Sequence, residues 1–196
     1  MKIKRANDDI YYLHDYIPTR RFNEFQECQN QLSRDIWSYK DGNIEQIERF
    51  ANELIQAITI ITNEINTNNI ALVAVPPSKV GKYSPVVESI RLINNWSQMG
   101  IIERKFGYYK NIADYSGLLT RVRDVRTSHE GSRATYNDHI NSIACARGKL
   151  SHLWSTFIII DDVVTKGTHM EACKDILLNH GAIDRYIVRL AIAKTI

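Results

Sequence analysis

The segment 157–170 constrains the fold of this 196-residue chain more than any other part of its sequence. Four apolar residues, 157–160, lead directly into two adjacent acids, Asp161 and Asp162. A glycine-containing turn follows, and a helical pattern begins behind it. A short apolar run bounded in this way predicts a buried strand. The segment therefore predicts a strand, a turn and a helix in succession.

The start of the predicted helix carries the chemical information. Thr168 and Glu171 have the spacing of a capping box, so we expect Thr168 to cap a helix that runs to Asn179 and stops at Gly181. The turn before it offers backbone N–H groups, hydroxyls and the ammonium of Lys166 at a helix N-terminus, where an anion is favoured. The paired acids can accept hydrogen bonds from sugar hydroxyls. This combination predicts a site for a phosphorylated sugar.

Two further segments give strong patterns. Apolar residues alternately three and four apart over 44–65 predict a long amphipathic helix, with Asn43 as its N-cap. The continuous apolar run 70–75 predicts a strand buried on both faces of a parallel sheet. Ser84 and Pro85, as N-cap and first-turn residue, predict a helix that runs through Trp96, with Gly100 marking its end.

The remaining patterns are weaker, but they fit the same class. They predict helical structure at 23–37 and 133–143, and strands at 102–109, 118–125 and 186–193. Helices alternating with apolar runs predict an α/β fold with a mostly parallel, doubly wound sheet flanked by helices. Ligands bind such sheets at the carboxyl ends of the strands. Residues 1–42 are expected to form an N-terminal hood, and 43–196 the α/β core of one structural domain.

Composition excludes several classes of protein. The formal net charge of +3 suits a polyanionic small molecule and permits nucleic acid. The three cysteines lie far apart without CxxC spacing, which favours a reduced, intracellular protein. No apolar run approaches the ~20 residues of a membrane-spanning helix. We therefore expect a soluble, cytoplasmic protein without membrane association.

Read residue by residue, the segment resembles the phosphoribosyl-pyrophosphate (PRPP) loop of the type I phosphoribosyltransferases. That loop has an apolar strand, two acids, two apolar residues, and then a turn rich in hydroxyls with a glycine. Asp161 and Asp162 match the acids, Thr165 the first hydroxyl position and Gly167 the glycine. The resemblance implies the type I phosphoribosyltransferase fold.

Two positions depart from the pattern of the family. Lys166 stands where the family usually has threonine, and His169 where it has a phosphate-binding threonine or serine. A lysine can still meet a phosphate as a point charge, and backbone donation at position 169 does not depend on the side chain. The departures therefore bear on catalytic competence more than on phosphate binding.

A broader resemblance points to the ComF-like, competence-associated branch of that family. It is carried by 36–43, by 74–77, and by 118–127 followed by His129. In that branch a strand bearing arginines leads into a mobile loop that covers the substrate. Residues 79–83 replace the Arg-Gly-Phe-Asn-Gln segment that usually follows the proline loop.

The resemblance implies a set of site residues. Ribose 5-phosphate would bind along the PRPP loop, which comprises Asp161, Asp162, Val163, Val164, Thr165, Lys166, Gly167, Thr168 and His169. Pyrophosphate would be received by Ser78 and Lys79 of the proline loop, and by Arg121 or Arg123. Asp161, Asp162, Arg121 and Arg123 are thus the candidate catalytic residues. Mg²⁺ would bind mainly through pyrophosphate and ribose hydroxyls, with Asp161 and Asp162 holding the ribose side directly or through water.

Other interpretations of these basic residues stay open. Ser78 and Lys79 also fit a rigid surface turn with a solvated lysine. On a strand, Arg121 and Arg123 would share a face; with Arg126 and Arg133 they form a basic patch that suits pyrophosphate, a nucleic-acid backbone or solvent alone.

Two functions follow from the resemblance. The first is transfer of a phosphoribosyl group to or from a nitrogenous base, with pyrophosphate release and PRPP as substrate. The alternative is a non-catalytic or conditionally active PRPP or nucleotide sensor that acts through nucleic acid or a partner protein in DNA uptake, regulation or retron-type phage defence. The acceptor base is not legible in the sequence, and a homodimer is an open possibility.

Overall fold

A computed structural model describes residues 3–6, 9–17, 31–107, 110–125, 134–146, 150 and 156–196. The strands are β1 (Lys4–Arg5), β2 (Ile10–Tyr16), β3 (Asn69–Ala74), β4 (Asn111–Asp114), β5 (Leu119–Arg121), β6 (Ile143–Cys145), β7 (Thr156–Val164) and β8 (Ile187–Thr195). The helices are α1 (Gln31–Lys40), α2 (Ile44–Glu64), α3 (Pro85–Gln98), α4 (Ile101–Phe106), α5 (Tyr136–Ile140) and α6 (Thr168–Asn179), and a 3-10 turn at Asp184–Tyr186 leads into β8.

One mostly parallel sheet organises the chain. Its strand order is β1-β2-β8-β7-β3-β4, and every neighbouring pair is parallel except β1 and β2. Strands β5 and β6 form a separate antiparallel pair. The predicted α/β class with a mostly parallel sheet flanked by helices is confirmed.

Alternate residues of the central strands enter two separate cores. Ile70 and Leu72 of β3 pack with the buried faces of α1, α2 and α3. Ala71 and Val73 pack on the other side, with α6 and the β5–β6 pair. Because both faces are covered, the strand consists almost wholly of apolar residues. The prediction of a doubly buried strand at 70–75 is confirmed.

The long helix begins as its sequence predicts. The Asn43 side chain accepts a hydrogen bond from the Gln46 backbone N–H at 3.1 Å, which satisfies one of the free donors at the start of α2. Helix α3 begins at Pro85 and extends two residues beyond the predicted Trp96. Ser84 precedes it with an extended backbone, but its side chain makes no capping hydrogen bond within the described residues.

Three of the weaker predictions need correction. Residues 101–106 form α4, so the strand predicted at 102–109 is wrong. Gly100, with φ 66°, permits a new helix to begin directly after α3. Ile102 is buried as part of that new helix. The strand expected over 118–125 is limited to β5. Of the range 133–143, residues 134–143 are described; among them only α5 is helical, and Ile143 already belongs to β6.

The first 42 residues contribute to the sheet as well as to a helix. Strand β2 pairs in parallel with β8, and α1 covers the face of the sheet on which α2 lies. Trp37 of α1 donates from its indole N–H to the Tyr16 hydroxyl at 2.7 Å. Residues 18–30, and with them most of the helix predicted at 23–37, lie outside the described residues. Among those that are described, no helix is both long and apolar enough to cross a membrane.

Candidate functional site

A cleft of about 690 Å³ opens at the carboxyl ends of β3 and β7. Its walls are the end of β7 with the turn after it, the loop after β3, the start of α3, part of α5 and the side chain of Lys40. The two central strands end here at different levels, β3 at Ala74 and β7 at Val164. This is the edge of the sheet at which the sequence predicts a ligand.

The paired acids lie where β7 continues past its neighbour. Strand β3 ends at Ala74, and just beyond it the Val75 N–H donates to the Ile160 carbonyl of β7 at 2.9 Å. β7 continues through both acids to Val164, alongside β8. The side chains of Asp161 and Asp162 therefore line the cleft. The Asp162 N–H, which has lost its partner strand, donates to the Asp161 carboxylate at 2.9 Å.

The two carboxylates are electrostatically linked. Burial of Asp161, and next the charge of Asp162, raise the pKa of Asp161 to about 8. Lys40, at the end of α1, places its ammonium 3.4 Å from Asp162 Oδ2. Burial lowers the pKa of Lys40, but the nearby charges of Asp162, Tyr16 and Asp161 outweigh this effect and raise it. Near neutral pH the diacid thus carries less than two negative charges, with one cation beside it.

The turn after β7 closes one end of the cleft. Gly167 has φ 77° and occupies the N-cap position of α6, so Thr168 is the first helical residue. The predicted capping role of Thr168 is wrong, because a left-handed glycine has taken that place. The Glu171 N–H donates to the Gly167 carbonyl at 2.9 Å, and the Glu171 carboxylate pairs with Arg189. The N–H groups in the first turn of a helix lack acceptors within it, and residues 163–170 line the cleft.

The loop after β3 forms the facing wall. Pro76, Pro77 and Ser78 line the cleft. The Ser78 carbonyl accepts from Val125 N at 2.9 Å, which ties the loop to the segment after β5. Lys79, the other residue predicted to receive pyrophosphate, is exposed and lies outside the cleft lining.

The two candidate arginines have different surroundings. Arg121 is buried behind the cleft wall, where its Nε donates to the Pro77 carbonyl at 2.8 Å and its Nη2 to His169 at 2.6 Å. Arg123 is exposed and donates to the Asn141 carbonyl at 3.1 Å. The prediction that the two share a strand face is wrong, because β5 ends at Arg121. The remaining residues of the basic patch and its loop, Arg126, His129 and Arg133, lie outside the described residues.

Three cleft residues were missed at the level of sequence. Lys40 belongs to a helix that is distant along the chain from the acids. In the sequence it is included only as one residue of the segment 36–43, without a role of its own. His139 stacks on His169 with ring centroids 4.1 Å apart and planes at 17°. Tyr136 donates its hydroxyl to Asp175 at 2.5 Å. The last two belong to α5, a helix too short to give a clear periodic pattern.

The chemistry of the acids suits magnesium in a restricted way. Among the described residues, no three His, Cys, Asp or Glu side chains are grouped so that they could hold a metal ion. Asp161 and Asp162 offer the oxygen ligands that Mg²⁺ prefers. They fit an ion whose other ligands come from a bound molecule or from water.

Neither the scan against models of protein families nor the search of curated proteins finds a match to this chain. The functional assignment consequently depends on the cleft and on the sequence pattern.

Proposed function

We propose that this cleft binds the ribose 5-phosphate part of PRPP, and that the protein is a type I phosphoribosyltransferase of the ComF-like kind. One observation carries the proposal. The paired acids, the glycine turn at the start of α6 and the proline loop after β3 all line the same cleft, although 82 residues lie between Ser78 of the loop and Asp161.

Each wall of the cleft supports a different part of the ligand. Asp161 and Asp162 suit the ribose hydroxyls, since carboxylates accept the hydrogen bonds that hydroxyls donate. The first-turn N–H groups of α6 and the exposed ammonium of Lys166 suit the 5′-phosphate. The wall that contains Ser78 is the proposed place of the pyrophosphate. Lys82 also lines this side of the cleft and adds positive charge.

The proposed reaction is a substitution at the anomeric carbon of the ribose. The bond from C1 to the pyrophosphate oxygen breaks, and its electron pair leaves with pyrophosphate. A nitrogen lone pair of the base forms the new bond to C1. The transition state resembles an oxocarbenium ion, so the protein acts by positioning the reactants and by neutralising charge. Mg²⁺, held by ligand oxygens with Asp161 and Asp162 nearby, would supply charge neutralisation on the pyrophosphate.

A second candidate is a PRPP or nucleotide sensor that binds without turnover and acts through nucleic acid or a partner protein, as in DNA uptake, regulation or retron-type phage defence. One observation favours it. Position 169, which the family fills with a phosphate-binding hydroxyl, holds an imidazole that bonds to Arg121. Binding can survive that change while the rate of transfer falls.

Calorimetry with PRPP and Mg²⁺ tests the binding that both candidates share. Wild type is expected to bind, and Asp161→Asn and Asp162→Asn are expected to weaken binding. Asp114→Asn is the matched control, because this acid ends β4 and lies outside the cleft. Absence of PRPP binding by wild type would refute both functions.

Pyrophosphate release, measured across candidate bases, separates the two. Turnover that Asp161→Asn abolishes supports the transferase. Tight binding without turnover for any base, together with retention of nucleic acid or a partner, supports the sensor.

A further inference from the structure

Arg121 is a buried cation whose hydrogen bonds all go to neutral groups. The residue is only 6% exposed. Its guanidinium donates to the Pro77 carbonyl, the Pro76 carbonyl, the Ser142 hydroxyl and Nε2 of His169. In the part of the chain that the structure describes, it forms no ion pair with a carboxylate. Burial lowers the pKa of Arg121 by more than the charge of Asp124 raises it. Because a buried charge without an ion-pair partner is unfavourable, this arrangement favours an anion nearby.

The contact with Arg121 fixes the protonation of His169. An arginine side chain has donors and no acceptor, so Nε2 of His169 accepts the 2.6 Å hydrogen bond and carries no proton. The proton of the neutral ring is then on Nδ1. Burial, and then the neighbouring His139 and Arg121, lower the pKa of His169 well below its ordinary value, which agrees with a neutral imidazole.

His139 provides a second, independent indication at the same corner. Its ring stacks on that of His169, which restricts the rotation of both. His139 is itself buried and lines the cleft, and its Nδ1 has no hydrogen-bond partner among the described residues. Buried polar atoms are nearly always hydrogen-bonded in folded proteins. An unpartnered buried nitrogen in a residue that lines the cleft favours a polar group of a ligand at this corner.

We propose that His169 binds the phosphate of the ligand through its Nδ1–H group, and that Arg121 is the positioning residue that holds it in this tautomer. By bonding to Nε2, the buried guanidinium leaves the ring proton on Nδ1, where it can be donated to the phosphate. The inference rests on the proposed function, which puts the 5′-phosphate at the turn containing His169. It gives a role to the imidazole that stands here in place of the phosphate-binding hydroxyl of the family.

Nitrogen NMR and calorimetry test this directly, with ribose 5-phosphate as the probe. In ¹⁵N-labelled wild type, the ring nitrogens of His169 are expected to report the Nδ1–H tautomer, and the Nδ1 resonance is expected to shift when ribose 5-phosphate binds. The His169→Gln variant keeps an acceptor near the position of Nε2 and loses the Nδ1–H donor. We expect it to bind ribose 5-phosphate about tenfold more weakly, since one hydrogen bond to a charged group is lost.

His180→Gln is the matched control, because His180 lies just beyond the opposite end of α6. It is expected to bind like wild type. A double-mutant cycle of His169→Gln with Arg121→Lys is expected to be non-additive, because the two residues act as one unit. Additive losses would contradict the positioning role of Arg121.

The outcomes separate this inference from the proposed function. If wild type binds ribose 5-phosphate and His169→Gln binds it equally well, or if His169 carries its proton on Nε2, the inference is wrong and the proposed function stands. If wild type does not bind ribose 5-phosphate, both are wrong.

Discussion

Lys40 and Asp162 form an ion pair across the mouth of the cleft, with 3.4 Å between Nζ and Oδ2. The pair joins the end of α1 to the end of β7. It provides a positive charge beside two carboxylates that would otherwise repel each other. The negative charge of the two carboxylates is therefore partly neutralised before any ligand or cation enters the cleft.

Replacing Lys40 with methionine is expected to reduce stability. Methionine keeps most of the apolar stem that approaches the Tyr16 ring, but it removes the charge. Because Lys40 and Asp162 are both partly solvated, the loss in free energy of unfolding is expected to be about 1 kcal/mol at pH 8. Urea unfolding measures it. Lys105→Met is the control, since Lys105 donates to the neutral Asn52 side chain; equal losses in the two variants would contradict the role of the pair.

The raised pKa of Asp161 predicts a pH-dependent stability with a definite sign. Between its ordinary value of 3.8 and about 8, the folded state holds this proton and the unfolded state does not. The contribution of Asp161 to stability is complete at the acidic end of this window and is lost as the pH rises through it.

Asp161→Asn removes that titration. The variant is therefore expected to match wild type near pH 4 and to exceed its free energy of unfolding by roughly 1–2 kcal/mol at pH 8. Denaturant unfolding at a series of pH values measures the difference. Asp41→Asn, at an exposed turn, is expected to follow wild type throughout. A constant difference between Asp161→Asn and wild type at every pH would refute the raised pKa.

Much of this fold could be predicted because its strongest signals are local. The apolar spacing of α2 and the cap at Asn43 lie within one segment, and the unbroken apolar run of β3 requires cover on both faces. The predictions for short segments failed because such segments carry too little local signal. Ile101 and Ile102 read equally well as strand or helix, and the left-handed Gly100 decided the outcome. Thr168 has the composition of a cap, but the conformation of Gly167 moved the helix start by one residue.

The site was only partly predictable, because its charges come from distant segments. The residues of 161–169 are consecutive, so their pattern could be read directly. The approach of Lys40 to Asp162 depends on how α1 packs against the sheet, and the stacking of His139 on His169 depends on the position of α5 beside α6. Arg121 and Arg123 have the spacing of two residues on one strand face. Because β5 ends at Arg121, however, Arg121 is buried and Arg123 is exposed.

These two arginines should respond very differently to substitution. Arg121→Met removes four hydrogen bonds and leaves the carbonyls of Pro76 and Pro77 without their donor. The cost of leaving these acceptors unsatisfied is larger than the gain from no longer burying the guanidinium charge. We therefore expect a loss of about 2 kcal/mol in the free energy of unfolding. Arg123→Met removes one exposed hydrogen bond and is expected to cost less than about 0.5 kcal/mol. Comparable losses in denaturant unfolding would contradict the assigned surroundings.

Alanine variants of two left-handed glycines distinguish an effect on phosphate binding from the effect of backbone strain alone. Gly167 has φ 77° and Gly107, at the end of α4, has φ 70°. Alanine at either position must adopt a left-handed backbone, which costs about 1 kcal/mol, and a Cβ at Gly107 meets nothing within 4 Å. Both variants are therefore expected to lose at least this much stability. Only Gly167→Ala should weaken the binding of ribose 5-phosphate, by roughly tenfold, because its turn aims the N–H groups of α6. If calorimetry finds the same affinity for both alanine variants, those N–H groups do not hold the phosphate.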